Sequence, residues 1–171
     1  MNRDSLGQAL YAAAHREGQF VLRSGRMTTE YFDKYRFEAD PRLLRQVAEA
    51  LAPLVPGDTD ALAGLELGGI PIATALGLVT QLPIRFVRKA PKAYGTCQLV
   101  EGGEIAGVRL LVVEDVVTTG GQVVQAAESL RELGARVEHA VCVIDREAGG
   151  PKTLRLAGIG LAALYRIGEL Q

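Results

Sequence analysis

The chain has 171 residues, which suits one domain with a substantial core, and its 23% charged and 48% hydrophobic residues are ordinary globular values. Its formal net charge of -1 argues against general nucleic-acid binding, which needs a basic face, but allows local clusters that bind small anions. No apolar stretch reaches the roughly 18 residues of a membrane span, and no apolar signal segment follows the N-terminus. We therefore expect a soluble cytoplasmic protein with neither a nucleic-acid partner nor a membrane partner.

The N-terminal third predicts two helices separated by extended chain. Residues 4–16 place apolar side chains on one helical face. A short strand with a turn is predicted by QFVLRSGR, and a second extended segment by EYFDKYRF. Asp40 and Pro41 then begin a helix, because proline is well placed at the first helical position and apolar residues recur at helical spacing after it.

The middle of the chain alternates strands with helices. A βαβ unit is predicted by DALAGLEL, GGIPIATALGLVTQ and LPIRFV, and a further strand, helix and strand by VRLLVVED, GGQVVQAAESLRELG and ARVEHAVCVID. This order predicts an α/β domain whose central, mostly parallel, twisted sheet is flanked by helices. Ligands of such sheets bind at the carboxyl ends of the strands.

Residues 89–107 interrupt this alternation without apolar periodicity. A loop of this length is uncommon in a compact domain unless it is functional. It begins with RKAPK, which has three cations in five residues although the whole chain is nearly neutral. We expect a lid that closes over a charged leaving group, and the alternative is a solvated basic surface run.

The stretch LLVVEDVVTTGG, residues 110–121, carries the most chemistry. Four apolar residues before Glu114 indicate a strand covered on both faces. The hydroxyls of Thr118 and Thr119 and the N–H groups of the glycine turn suit a phosphate monoester at a helix N-terminus. Glu114 and Asp115 would repel that phosphate, but they could accept hydrogen bonds from the vicinal hydroxyls of a ribose. The alternative is a plain strand–loop–helix connection with a solvated acidic turn.

This motif resembles the 5-phosphoribosyl 1-pyrophosphate (PRPP) signature of type I phosphoribosyltransferases. Three more segments, LRSGRMTTEYFD, FVRKAPKAYG and VIDREAGG, are similar to orotate phosphoribosyltransferases. The resemblance implies Mg²⁺-dependent transfer of phosphoribose from PRPP to orotate in pyrimidine (UMP) biosynthesis, yielding orotidine 5′-monophosphate and pyrophosphate. It also implies a homodimer with shared active sites, a single domain with a hood from about residues 1–36 and the C-terminal end, and the lid at 89–107.

Matching positions also imply the residues of the site. Those expected to bind PRPP are Arg23, Arg88, Lys89, Lys92, Tyr94, Glu114, Asp115, Val116, Val117, Thr118, Thr119, Gly120, Gly121 and Gln122. Those expected to contact orotate are Tyr31, Phe32, Thr118 and Arg146. Three cations that would neutralise pyrophosphate, and one acid, are expected to be catalytic: Arg88, Lys89, Lys92 and Asp115. Mg²⁺ is expected to be held mainly by substrate oxygens and waters, with no protein ligand set.

Two positions depart from the family pattern. Tyr94 stands where histidine is usual, which puts a proton-donating imidazole in doubt. LELGGIP lacks the Tyr-Lys pair of some members, so pyrophosphate contacts there would come from the N–H groups of Gly68 and Gly69.

Three other functions share parts of this pattern. A purine-base phosphoribosyltransferase would use the same PRPP loop. A non-catalytic regulator that binds PRPP and RNA would need a basic face. A phosphosugar-binding domain would need no transfer chemistry.

Overall fold

The N-terminal part of the computed structural model consists of a helix, a hairpin and two further helices. The structure describes residues 1–21, 25, 27–90 and 98–170. Its first elements, in chain order, are α1 (Arg3–Ala14), β1 (His15–Val21), β2 (Met27–Phe32), α2 (Tyr35–Glu38), α3 (Pro41–Leu51) and a 3₁₀ turn (Ala52–Leu54). Strands β1 and β2 pair antiparallel. Helix α3 begins as predicted, because the Asp40 side chain accepts a hydrogen bond from the Arg42 N–H at 2.8 Å.

Helix α2 corrects the prediction of an extended EYFDKYRF segment. The chain is extended through Phe32 and then makes one helical turn. That turn buries the Phe37 side chain completely in the core and also buries Glu38. Burial of a large aromatic side chain therefore outweighs the strand preference of the surrounding aromatic residues.

A six-stranded sheet forms the centre of the molecule. Its strands, in chain order, are β3 (Ala61–Leu65), β4 (Ile84–Val87), β5 (Val100–Glu101), β6 (Arg109–Val117), β7 (Arg136–Asp145) and β8 (Gly160–Arg166). In space the order is β5-β4-β3-β6-β7-β8, and each neighbouring pair is parallel except β4 with β5. The predicted, mostly parallel α/β sheet is confirmed, and β6 lies between β3 and β7.

Helices cover both faces of this sheet. The remaining helices are α4 (Gly69–Thr80), α5 (Gly121–Glu132) and α6 (Gly150–Leu156). Leu111 and Val113 of β6 pack in the core shared with α1, α3 and α4, whereas Leu110 and Val112 pack in the core shared with α5 and α6. The apolar run before Glu114 is therefore buried on both faces, as predicted. In the described ranges, no helix has the length and apolar character needed to cross a membrane.

The two ends of the chain contact each other beside the sheet. Arg3 donates a 2.8 Å hydrogen bond to the Leu164 carbonyl and pairs with Glu169, in a 3₁₀ turn at Ile167–Glu169, at 3.2 Å. The Tyr165 hydroxyl donates to the Arg3 carbonyl at 2.6 Å. The single-domain organisation and the bounds of the hood stay predictions.

The segment predicted as a lid, 89–107, contains part of the sheet. Residues 91–97 lie outside the described residues. After them, Val100 and Glu101 form β5 against β4, and Val100 and Ile105 are buried. Any closing movement is therefore a prediction only for the residues before β5.

Candidate active site

The carboxyl ends of β3, β6 and β7 meet at one edge of the sheet. Strand β6 continues three residues beyond Glu114, because Val116 and Val117 pair with Ile144 and Asp145 of β7. The Arg146 N–H then donates to the Val117 carbonyl at 2.8 Å. The acidic pair thus lies inside the strand, and the connecting loop is shorter than the sequence suggested.

The loop between β6 and α5 encloses a pocket of about 220 Å³, which we call the loop pocket. It is lined by Glu114, Val116, Val117, Thr118, Thr119, Gly120, Gly121, Gln122 and Val123. Gly120 has a φ of +82°, and a Cβ atom there would lie 2.3 Å from Leu154 Cδ1, so this turn requires glycine. The first N–H groups of α5 and two exposed threonine hydroxyls make the pocket suitable for a phosphate.

The two members of the acidic pair have different surroundings. Glu114 lines the loop pocket, and its Oε1 accepts the Asp115 N–H at 3.0 Å. Asp115 is fully buried on the α4 side, where its Oδ1 accepts the Val116 N–H. Lys34 Nζ lies 2.6 Å from Asp115 Oδ2, an arrangement we call the Lys34–Asp115 pair. Glu114 therefore lines the loop pocket, whereas Asp115 is not among its lining residues, and the contacts of both with a ribose stay predictions.

A third carboxyl group, that of Glu38, adjoins the Lys34–Asp115 pair. Burial and the neighbouring Asp115 raise the pKa of Glu38 to about 9. Burial and repulsion by Asp115 likewise raise the pKa of Glu114 well above its usual range. At neutral pH Glu38 therefore favours the protonated form.

The pair itself is held in its charged form. Burial alone would raise the pKa of Asp115, but hydrogen bonds from Glu114 and Lys34 outweigh it and lower that pKa. Burial alone would lower the pKa of Lys34, but the hydrogen bond to Asp115 and the attraction to it raise that pKa. The Asp115 carboxylate and the Lys34 ammonium thus share the cluster with the protonated Glu38. The opposite charges of the Lys34–Asp115 pair offset each other, which limits repulsion of a phosphate-bearing ligand.

Arg88 and Lys89 line a second pocket, of about 360 Å³, which we call the basic pocket. Its full lining is Leu65, Glu66, Val87, Arg88, Lys89, Leu99, Gln122, Gln125, Ala126 and Ser129. Gln122 belongs to both pockets and donates to the Glu66 carbonyl at 3.4 Å, so the two pockets adjoin. The larger basic pocket offers cations and the loop pocket offers N–H and hydroxyl groups, and both suit anionic ligands.

The loop from β3 to α4 packs closely against β6. A Cβ atom on Gly68 would lie 1.6 Å from Asp115 Oδ2, and one on Gly69 would lie 2.3 Å from the Val113 carbonyl. The peptide bond between Glu66 and Leu67 is cis. The glycines therefore allow the N-terminus of α4 to approach the strand end, and their contacts with pyrophosphate stay predictions.

The residues predicted to contact orotate lie on two elements. Tyr31 in β2 is partly exposed, with its ring centroid 5.4 Å from that of Phe20, and Phe32 packs against the core. Arg146 is exposed immediately after β7. Three other predicted site residues, Arg23, Lys92 and Tyr94, lie outside the described residues.

Sequence reasoning missed Lys34 and Glu38. The two residues are four positions apart, a spacing that puts side chains on one face of a helix. This spacing is informative only in a helix, and the segment was predicted to be extended. Their contact with Asp115 joins distant parts of the chain, which no local pattern indicates.

Comparison with known proteins agrees with the geometry of the site. Residues 35–156 match the phosphoribosyl transferase domain family. An orotate phosphoribosyltransferase of Nocardioides sp. is 48% identical over 166 residues, which cover 97% of this chain and 93% of that protein. The chain belongs to the orotate phosphoribosyltransferase family. This membership confirms the predicted enzyme class and does not support the regulator or the phosphosugar-binding domain.

Other orotate phosphoribosyltransferases are similar over almost the same span. One from Methanocella arvoryzae is 44% identical, covering 90% of this chain and 87% of its own length. A crystal structure of the Mycobacterium tuberculosis orotate phosphoribosyltransferase in complex with PRPP has a TM-score of 0.84 at 27% identity, with 98% of both chains covered. The type I phosphoribosyltransferase fold predicted from the sequence is therefore confirmed.

Proposed function

We propose that this chain transfers the 5-phosphoribosyl group from PRPP to orotate, yielding orotidine 5′-monophosphate and pyrophosphate in pyrimidine biosynthesis. The observation that carries the proposal is the loop pocket, where one acidic side chain faces a helix N-terminus at the end of the central strand. A ligand that bears both a phosphate and vicinal hydroxyls uses both features. The 48% identical orotate phosphoribosyltransferase supports orotate as the acceptor.

In the proposed binding mode, the 5-phosphate accepts hydrogen bonds from the Thr118–Gly121 turn. Thr118 and Thr119 donate through their hydroxyls, and the N–H groups at the start of α5 converge on the same anion. Glu114, whose pKa is raised well above its usual range by burial and by Asp115, exchanges hydrogen bonds with a ribose hydroxyl. The sugar is thereby fixed with its anomeric carbon between the pyrophosphate group and the orotate nitrogen.

The transfer step displaces pyrophosphate at the anomeric carbon through an oxocarbenium-like transition state. The C–O bond to pyrophosphate breaks as the orotate nitrogen forms its bond, so the main task is to stabilise the departing anion and keep the nucleophile in line. Arg88 and Lys89 line the basic pocket and would neutralise the leaving group. Lys92 and Tyr94 are proposed to add to these contacts.

Orotate needs no strong protein base, because it is already an anion with a nucleophilic ring nitrogen. Arg146 is the cation that we assign to it, and the backbone near Tyr31 and Phe32 would contact the ring. The Arg146 N–H donates to the Val117 carbonyl at the end of β6. The proposed sites for orotate and for the ribose therefore lie at the ends of two neighbouring strands, β7 and β6.

Mg²⁺ is proposed to bind together with PRPP. The groups that line the loop pocket are mainly N–H and hydroxyl donors, which suit an anion better than a bare cation. They fit a metal carried on the diphosphate and ribose oxygens and completed by waters. When bound, it supplies additional charge neutralisation to the leaving group.

We also propose a homodimer whose basic segment, RKAPK, reaches the neighbouring site. Leu78 and Val79 at the end of α4 are exposed apolar side chains that an interface would cover. Mixing Lys92→Ala subunits with Asp115→Asn subunits tests sharing, because hybrid dimers would recover one intact site. Recovery of activity on mixing supports shared sites, and absence of recovery in verified hybrids contradicts them.

A cytoplasmic location likewise stays a prediction.

The decisive assay follows orotate absorbance after addition of PRPP and Mg²⁺. We expect orotate to be consumed and pyrophosphate to appear in equal amounts. Adenine and xanthine serve as control acceptors, because a purine-base enzyme would use them and leave orotate unchanged. Failure to consume orotate in a folded sample that binds PRPP would refute the proposed acceptor.

A further inference from the structure

We propose that Lys34 is a positioning residue of the PRPP site, which acts by fixing Asp115 beneath the end of β6. The inference rests on the proposed function and adds a residue outside the β6–α5 motif. Its starting observation is the 2.6 Å contact between Lys34 Nζ and Asp115 Oδ2. The Lys34 side chain is 33% exposed and the Asp115 side chain is 0% exposed, so the cation reaches an acid that is otherwise sealed in the protein.

Both oxygens of Asp115 are engaged away from the loop pocket. Oδ1 accepts the N–H of Val116, the next residue of β6, and Oδ2 forms an ion pair with Lys34 Nζ at 2.6 Å. Oδ2 also lies so close to Gly68 that no Cβ atom fits between them. Asp115 thus joins β6 to the loop before α4, and Lys34 supplies the charge that keeps a buried carboxylate there.

Lys34 is itself oriented by its surroundings. It stands at the start of α2, and its ammonium lies 5.4 Å from the centroid of the Tyr35 ring. The titratable groups that face the Lys34–Asp115 pair are Glu38 from α2, Glu114 from β6 and, at longer range, Asp33 and Tyr35. The α4 side contributes the backbone of Gly68.

Loss of the Lys34 charge would leave Asp115 buried without its cation. A carboxyl group in that situation takes up a proton or moves toward water. Either change would weaken the close contact between Asp115 and the loop at Gly68. The loop and Glu114 are the neighbours that would shift, and both border the space proposed for PRPP. Orotate contacts at Arg146 lie on a different strand end and should change less.

The test compares Lys34→Met, Lys34→Arg and a matched control, Lys152→Met, in which an exposed lysine of α6 is removed. We expect Lys34→Met to raise the KM for PRPP by roughly tenfold or more, with a smaller effect on the KM for orotate. The acid limb of the pH profile of kcat/KM for PRPP should move to higher pH, because the pKa of Asp115 rises without the cation. Lys34→Arg should restore most of both parameters, and Lys152→Met should match the unsubstituted enzyme.

Two results would overturn the proposal in a folded variant. One is a Lys34→Met enzyme with unchanged PRPP binding by calorimetry and an unchanged pH profile. The other is an equal loss for both substrates, which indicates general damage. If Lys34→Met does not fold, the double variant Lys34→Met/Asp115→Asn decides: recovered folding supports the pairing, and continued unfolding contradicts it. An unsubstituted enzyme that binds PRPP but ignores orotate would refute the proposed function instead, and the calorimetric test of Lys34 would still stand.

Discussion

Substitution by alanine should impair different properties at the two adjacent glycines of the β6–α5 loop, stability at Gly120 and ligand binding at Gly121. Gly120 has a left-handed backbone, and an added Cβ atom would meet Leu154 Cδ1 at 2.3 Å and the Gly150 carbonyl at 3.1 Å. At Gly121 the nearest atom to an added Cβ is Thr119 Oγ1, at 4.0 Å, so the space is open on the side of the loop. Alanine should therefore damage folding at the first position and ligand binding at the second.

The expected magnitudes follow from these contacts. For Gly120→Ala, a left-handed alanine costs about 1–2 kcal/mol and overpacking against α6 costs about 1–3 kcal/mol more. The free energy of unfolding should fall by about 2–5 kcal/mol, which for a chain of this size lowers Tm by roughly 5–15 °C. For Gly121→Ala, one extra methyl group at the phosphate cradle should weaken PRPP binding by about 1–3 kcal/mol, or about 5- to 150-fold.

Urea unfolding and PRPP calorimetry on the two variants measure both effects. Gly57→Ala is the matched control, because an added Cβ atom at Gly57 meets no atom within 4 Å. A Gly121→Ala variant that unfolds as easily as Gly120→Ala while it binds PRPP normally would contradict the prediction. A Gly120→Ala variant that is as stable as Gly57→Ala would also contradict it.

Three further substitutions test the basic pocket, the orotate contact and the buried acid. Lys89→Ala should lower kcat far more than it weakens orotate binding, and an equal loss in both would contradict the leaving-group role. Arg146→Ala should raise the KM for orotate by about tenfold or more while the Kd for PRPP changes little, as measured by steady-state kinetics and calorimetry. Because the folded state raises the pKa of Glu38 to about 9, its stabilising contribution is complete below about pH 4.5 and is lost as pH rises to about 9. Glu38→Gln should flatten that decline in urea unfolding between pH 5 and pH 9, whereas the exposed control Glu132→Gln should keep it.

The sequence allowed much of the sheet and one half of the site to be predicted. Strand β6 was visible because a run of four apolar residues is rare outside a strand buried on both faces, and the structure buries all four. The turn at Gly120 was visible because glycine and threonine before a helix are typical of anion sites. These features depend on residues that are neighbours in the sequence.

The other half of the site depends on contacts between distant residues. Local periodicity gave no reason to bring Lys34 to Asp115, and a four-residue helix such as α2 is too short to show a period. The surroundings of Asp115 likewise depend on Lys34 and Gly68, which are distant from it in the sequence. The helical conformation of α2 likewise depends on tertiary packing, because that turn buries Phe37 in the core.

The contact between Arg3 and the C-terminal turn has a consequence for how the chain folds during synthesis. Helix α1 leaves the ribosome well before Leu164 and Tyr165, which share its core and lie 161 and 162 residues after Arg3. Until they emerge, the apolar face of α1 that includes Leu6 and Leu10 lacks part of its cover. Helix α1 therefore completes its packing only after β8 has been made, and until then its apolar face is partly uncovered.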